Sequence, residues 1–213
     1  RIDPTGKASA MFKAIPSELT RNSSRYQVAS VTENGRANRL LETITNMGES
    51  MVVNMAYHAN DPGPGMAFHK DTSTFKMFVG DTGLFVTLAF WDKEFTDNVI
   101  YQKLLTDKLS KDLGYVYENV VAQMLVASGN ELYYHTFPTE SGKHRYEVDF
   151  LIPDGDKVVP IEVKSSGYKA HVSLDAFCTK FSSRVSRPYL IYTKDLRKEG
   201  NLLYLPVYMT MFL

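Results

Sequence analysis

The sequence predicts an α/β fold with a mixed β-sheet flanked by helices, preceded by a winged-helix-like helical module. Three observations support this prediction. Apolar residues recur at helical spacing from Leu113 to Leu125. Two short apolar strand patterns with acidic residues set into them follow, at 146–152 and 159–165. The first 57 residues instead follow the order helix, turn, helix, strand, which is the outline of a winged helix.

The N-terminal module is predicted to comprise residues 1–100 and to include a small β portion. Residues 1–10 are polar and typical of a chain end, whereas residues 11–57 are mostly helical in pattern. Gly48 is suited to end the second helix in the left-handed conformation. Strands are expected at 51–57 and 75–79, and a turn or helix start at 81–84.

Residues 101–213 are predicted to form the α/β domain, joined to the first module by a charged segment at 91–112. The helix that starts at Leu113 carries Glu118 at the edge of its apolar stripe. Asp154-Gly155 is the predicted turn between the two acidic strands. The remaining elements are expected as a strand at 132–134, a helix at 172–182, a strand at 189–192 and an apolar strand region at 202–213.

Composition restricts the class of protein. The chain has 24 basic and 24 acidic residues, and this balance counts against tight non-specific DNA binding. A single cysteine, Cys178, excludes an intrachain disulfide and a Cys-rich zinc site, and it fits a reducing cytoplasm. No run of about 18 apolar residues occurs, so no membrane span is expected. The chain begins at Arg1 without an initiator Met, and we expect it to be a fragment.

The two acidic strands predict a metal-dependent catalytic site. Asp149 lies on the first strand, and Glu162 and Lys164 lie on one face of the second, because strand side chains alternate with a period of two. Mg²⁺ or Mn²⁺ would be bound by Asp149, Glu162 and the backbone carbonyl of Val163. Lys164 would orient water or stabilise developing charge, and Glu118 would hold a metal-bound water or a second ion. Such a site suits phosphodiester hydrolysis.

Simpler interpretations stay open at this stage. Asp149, Glu162 and Lys164 also fit a structural ion-pair cluster at a sheet edge. Basic residues are frequent over 180–198, where Lys180, Arg184 and Arg187 are candidate nucleic-acid contacts or a solvated helix end. Arg36 and Arg39 on the second N-terminal helix could meet DNA, but a spacer or protein-contact role is favoured for that module.

Six ordered segments resemble the DUF4143 region of bacterial and archaeal AAA-type ATPases, within the PD-(D/E)xK nuclease superfamily. They are Ile15-Pro16-Ser17-Glu18-Leu19, Phe75-Lys76-Met77-Phe78, Asp81-Thr82-Gly83-Leu84, Glu118-Asn119-Val120-Val121-Ala122, Glu147-Val148-Asp149-Phe150 and Leu205-Pro206-Val207-Tyr208-Met209. Asp149 matches the motif aspartate, Glu162 and Lys164 match the Glu-x-Lys, and Glu118 matches the glutamate on the first core helix.

The resemblance implies a restriction-endonuclease-like core and an ATPase domain N-terminal to this region. This chain has no G-x-x-x-x-G-K-[ST] motif and is therefore not expected to hydrolyse ATP. The helix after Glu-x-Lys also lacks the Gln-x-x-x-Tyr of many RecB-like relatives. The expected function is a Mg²⁺-dependent endonuclease or exonuclease domain acting on DNA. The alternative is an inactive nuclease-fold module that docks DNA or protein partners and regulates the ATPase, with oligomerisation as a third idea.

Overall fold

The computed structural model describes residues 6–21, 24–28, 40–90 and 114–213. The helices within these ranges are α1 (Lys7–Thr20), α2 (Leu41–Glu49), α3 (Thr82–Ala89), α4 (Gly114–Ala127) and α5 (Val172–Lys180). The strands are β1 (Val53–Ala59), β2 (Lys70–Val79), β3 (Leu132–Pro138), β4 (Arg145–Asp154), β5 (Lys157–Lys164), β6 (Tyr189–Tyr192), β7 (Arg197–Glu199) and β8 (Leu202–Pro206). Two 3₁₀ helices are Met66–Phe68 and Val207–Phe212.

The strands form one mixed sheet in the order β2-β1-β3-β4-β5-β6-β8-β7. Neighbours from β3 to β5 are antiparallel, whereas β5, β6 and β8 run parallel to one another. The prediction of a mixed sheet flanked by helices is confirmed. β1 and β2 belong to the same sheet, because β1 pairs in parallel with β3. The predicted boundary between residues 100 and 101 lies outside the described residues, and the winged helix stays a prediction.

The core lies on both faces of this sheet. On one face, Val121 and Leu125 of α4 pack with Phe150 of β4 and Ile161 of β5, and all four are fully buried. The opposite face packs against α5, whose Phe177 is fully buried among side chains of β4 and β5. The apolar residues of α4 therefore recur at helical spacing because they form one face of the helix, and this face packs against the sheet.

Three local predictions were wrong. Residues 7–10 belong to α1 rather than to a polar chain end, because Met11 and Ile15 lie one turn apart and bury fully against the core. Gly48 lies inside α2, and the left-handed residue that follows that helix is Met51, with φ 59°. The C-terminal strand ends at Pro206, whose missing N–H cannot extend a ladder, and residues 207–212 form a 3₁₀ helix.

Candidate active site

The β4–β5 hairpin places Asp149 and Glu162 beside each other. Its turn contains Gly155 with φ 59°, as the Asp154-Gly155 signal predicted. Backbone pairing runs from that turn to Phe150 and Ile161, and Asp149 and Glu162 are the next residues on the two strands. There the Val163 N–H donates to Asp149 Oδ2 at 2.8 Å, so the carboxylate takes a hydrogen bond that a ladder carbonyl would otherwise accept.

An irregularity in β4 aims the Asp149 side chain. The register with β3 shifts between Tyr133 opposite Leu151 and His135 opposite Val148. Two residues of β4, Asp149 and its neighbour, therefore face a single residue of β3. Such a bulge bends the strand and redirects a side chain, which is why bulges are frequent next to active sites.

Glu162 and Lys164 form an ion pair on β5, with 2.7 Å between Lys164 Nζ and Glu162 Oε1. The Glu162 side chain is only 6% exposed. Its second oxygen, Oε2, is buried and has no hydrogen-bond partner within the part of the chain that the structure describes. A buried carboxylate oxygen without a partner is costly, and it is the atom most in need of a cation or a water molecule.

Glu118 reaches the same cluster from α4. Burial is the main cause that raises the pKa of its carboxyl, and the charges of Glu147 and Glu162 add to it, against the lowering effect of Lys76. The next residue, Asn119, fixes the helix: its Oδ1 accepts from the Val79 N–H at 2.8 Å, and its Nδ2 donates to the Val79 carbonyl at 3.0 Å. This pair of hydrogen bonds sets the register of α4 against β2 and so positions Glu118.

Two residues of the cluster, Lys76 and Glu147, were not among the predicted site residues. Lys76 Nζ lies 2.5 Å from Glu147 Oε1, although β1 and β3 separate their strands in the sheet. The Lys76 ammonium lies 5.3 Å from the centre of the Tyr134 ring on β3, and the small Ala56 faces it on β1. The signal in the sequence is a lysine inside the apolar run 75–79, all of which is buried.

Among the residues that the structure describes, four carboxylates and two lysines meet in this cluster, so these six groups carry a net charge of −2 when every group is ionised. Burial, then the charges of Glu162 and Glu118, hold the pKa of Asp149 well above its usual range. Burial likewise raises the pKa of Glu162, and the contact with Lys164 does not cancel that rise. For Lys164, burial opposes the charged form, but the attraction of Glu162 prevails and its pKa rises. The lysine is therefore an ammonium at neutral pH.

The residues fit a hydrated divalent cation. Within the described ranges, no group of three or more His, Cys, Asp and Glu side chains is arranged to hold a metal ion. Mg²⁺ nevertheless often keeps several waters and uses one or two protein carboxylates. The unpartnered oxygen of Glu162 and the excess negative charge beside Asp149 fit that mode of binding. Val163 contacts Asp149 through its N–H, and its carbonyl as a ligand stays a prediction.

The three predicted basic contacts have different surroundings. Lys180 at the end of α5 lies over the rings of Phe137 and Phe181, at 5.0 and 5.4 Å from their centres. Arg184 is already hydrogen-bonded to the carboxylate of Asp61. Arg187 is exposed. Their role in nucleic-acid binding stays a prediction, and Arg36 and Arg39 lie outside the described residues.

Comparison with known proteins identifies one region. No curated protein and no solved structure matches the chain. None of the helices in the described ranges has the length and apolar character needed to cross a membrane. Over residues 113–209, a stretch that includes Glu118, Asp149, Glu162 and Lys164, the chain is similar to the family described as Domain of unknown function (DUF4143).

Proposed function

We propose that the acidic cluster is the site of a Mg²⁺-dependent nuclease that hydrolyses phosphodiester bonds in DNA. The observation that carries the proposal is the unpartnered, buried Oε2 of Glu162, together with the excess of carboxylates over lysines in the cluster. A purely structural cluster gains nothing from two uncompensated charges. A cation site needs them.

The proposal includes the PD-(D/E)xK assignment. The order of elements supports this assignment, because the resemblance implies a helix, three strands, a helix and a strand. In this chain those positions are taken by α4, β3 to β5, α5 and β6. Asp149 and Glu162 would hold the cation. When bound, Mg²⁺ or Mn²⁺ supplies Lewis-acid stabilisation of the phosphate oxygens and lowers the pKa of a water molecule. An ATPase domain N-terminal to this region on the longer chain is part of the same proposal.

Each protein group has a role that follows from its protonation state. Lys164 is charged, so it donates hydrogen bonds to the attacking water or to the phosphate oxygens and does not act as a base. Glu118 has a raised pKa and so lies closer to the range in which a carboxyl exchanges protons near neutral pH. Lys76 holds Glu147 and lowers the repulsion among the carboxylates.

A plasmid-nicking assay tests the proposal. Supercoiled DNA is incubated with the wild type, Asp149→Asn and Asp154→Asn, in Mg²⁺, Mn²⁺ or EDTA. Asp154 is the last residue of the same strand, exposed at the hairpin turn, five residues and about 16 Å from Asp149, so it controls for the loss of one carboxylate. We expect nicking that requires metal, that is at least about 100-fold slower in Asp149→Asn and that is unchanged in Asp154→Asn. Equal rates for the wild type and Asp149→Asn would refute the assignment.

A second candidate is a module without catalytic activity that docks DNA or a protein and regulates the ATPase. It is favoured by the two ion pairs, because Lys76 and Lys164 each already bind a carboxylate of the cluster. A wild type that binds DNA but nicks it with neither metal would support this candidate over the nuclease.

A further inference from the structure

A row of polar side chains leads outward from the acidic cluster along the same end of the sheet. Arg145 is the first residue of β4, four residues before Asp149, which is about 13 Å along an extended strand. Thr136 of β3 lies directly opposite Glu147, between these two positions. The C-terminal part of β1 contributes His58 to the same row, through its contact with Thr136.

Arg145 is exposed, yet its guanidinium is fixed in place. Nε donates to Thr136 Oγ1 at 3.2 Å, and Nη2 donates to the Thr136 carbonyl at 2.8 Å and to Oγ1 at 3.0 Å. Thr136 itself is 7% exposed. Among the residues that the structure describes, Arg145 forms no ion pair with a carboxylate, which distinguishes it from Arg184 with its bond to Asp61. It is an oriented cation whose charge is not neutralised.

His58 orients the hydroxyl that holds Arg145. The Thr136 N–H donates to His58 Nε2 at 3.2 Å, so that nitrogen carries no proton. The Thr136 hydroxyl, 3.2 Å from the same nitrogen, shares the single lone pair of that nitrogen with the backbone N–H, and the hydroxyl oxygen keeps its own lone pairs for the guanidinium. The proton of His58 lies on Nδ1, which donates to Asn60 Oδ1 at 3.1 Å. A chain of hydrogen bonds thus runs from Asn60 through His58 and Thr136 to Nε and Nη2 of Arg145.

We propose that Arg145 is a phosphate-binding positioning residue, which holds the nucleic-acid backbone beside the acidic cluster through a phosphate next to the scissile one. This inference rests on the proposed nuclease function. The acidic cluster repels a polyanion. A nucleic-acid strand that enters it therefore needs a cation beside the cluster. The guanidinium is already fixed by a side chain and a carbonyl, so it loses little conformational entropy when it binds a ligand. Its remaining N–H groups suit phosphate oxygens. A chain with no net positive charge depends on few such contacts.

DNA binding without cleavage isolates this contact. The affinity for a fluorescein-labelled single-stranded oligonucleotide is measured by anisotropy in EDTA at several salt concentrations. The proteins are the wild type, Arg145→Ala, Arg145→Lys and Lys157→Ala. The last variant removes a cation beside the turn of the β4–β5 hairpin, at the other end of β4 from Arg145. We expect Arg145→Ala to bind about 10-fold more weakly, with a salt slope shallower by about 0.7. Arg145→Lys should keep the slope and lose part of the affinity, and Lys157→Ala should match the wild type.

The outcomes separate this inference from the nuclease proposal. An Arg145→Ala protein with wild-type affinity and salt slope, or a wild type that does not bind DNA, would overturn the inference. If Arg145→Ala binds weakly but no protein nicks DNA with either metal, the contact stands and the nuclease fails. If the wild type nicks DNA and Arg145→Ala does so with unchanged KM, the nuclease stands and the contact fails. A raised KM with little change in kcat is the result expected for a positioning residue.

Discussion

Replacing Lys76 by Met tests whether the cluster is held together by a buried cation. Methionine keeps most of the length and apolar packing of the lysine stem and removes the charge. The Lys76 side chain is 7% exposed, and its partner Glu147 is 29% exposed. The attraction of Glu147, Glu118 and Asp149 prevails over burial and raises the pKa of Lys76, so the lysine is charged throughout the accessible pH range.

The expected loss of stability follows from burial. Removing one partner of a buried ion pair costs about 3–5 kcal/mol, and partial exposure of Glu147 reduces this to about 2–3 kcal/mol. The loss depends on pH. Without Lys76, the pKa of Glu118 and of Asp149 rises further above the value in the unfolded chain. A carboxyl whose pKa is higher in the folded than in the unfolded chain destabilises the folded state as the pH rises toward that raised pKa. The stability lost in Lys76→Met is therefore largest at pH 8 and shrinks toward pH 4.5.

The matched control is Lys70→Met in the same strand. Lys70 pairs with Glu131 at 2.9 Å, but the two side chains are 32% and 49% exposed. An exposed pair contributes about 0–1 kcal/mol. Urea unfolding in EDTA at pH 8 and pH 5, followed by circular dichroism, gives both free energies of unfolding. If Lys76→Met is no less stable than Lys70→Met at pH 8, or if its deficit does not shrink at pH 5, the reasoning is refuted.

Three further predictions concern the same cluster. Asp149→Asn should stabilise the metal-free protein at pH 8, because the raised pKa of Asp149 means that its charge opposes folding. Thermal unfolding in EDTA should show that this gain vanishes near pH 4, and an equal gain at both pH values would contradict the prediction. Asn119→Ala should destabilise the protein by about 3 kcal/mol, because it leaves the buried N–H and carbonyl of Val79 without partners. Urea unfolding measures this loss, and a change below about 1 kcal/mol would contradict the positioning role of Asn119. Mg²⁺ or Mn²⁺ should raise the Tm of the wild type and of Asp154→Asn but not that of Asp149→Asn; an equal rise in all three would place the cation elsewhere.

Local patterns were sufficient to predict the strands and helices that carry the motif. The apolar stripe of α4 buries against the sheet, and the Asp154-Gly155 signal closes the hairpin as expected. Because the hairpin is closed by a short turn, its register is fixed locally, and the neighbourhood of Asp149 and Glu162 follows from the sequence alone. The direction of the Asp149 side chain does not, because the bulge depends on how β4 pairs with β3.

Lys76 and Glu147 show what local patterns cannot provide. They are 71 residues apart, and their contact depends on β1 and β3 lying between β2 and β4 in the sheet. The pairing of β1 with β2 places the small Ala56 beside Lys76, which leaves room for the lysine side chain to extend across β1 toward Glu147. A charged residue in a buried apolar run indicates that a partner exists, but the sheet order identifies the partner.

The sign of the charge excess favours the proposed cation site over the docking module. A structural ion cluster is most stable when its charges balance, and a DNA-docking surface requires an excess of positive charge. As far as the described residues show, the cluster has neither property: two lysines meet four carboxylates, and burial and neighbouring carboxylates hold the pKa of Asp149 well above its usual range. The fold therefore keeps an arrangement that weakens it, and it uses Asn119 and the bulge in β4 to hold that arrangement in place. Unfavourable charge of this kind is frequent at sites that bind or react, and under the proposed function a divalent cation would relieve it.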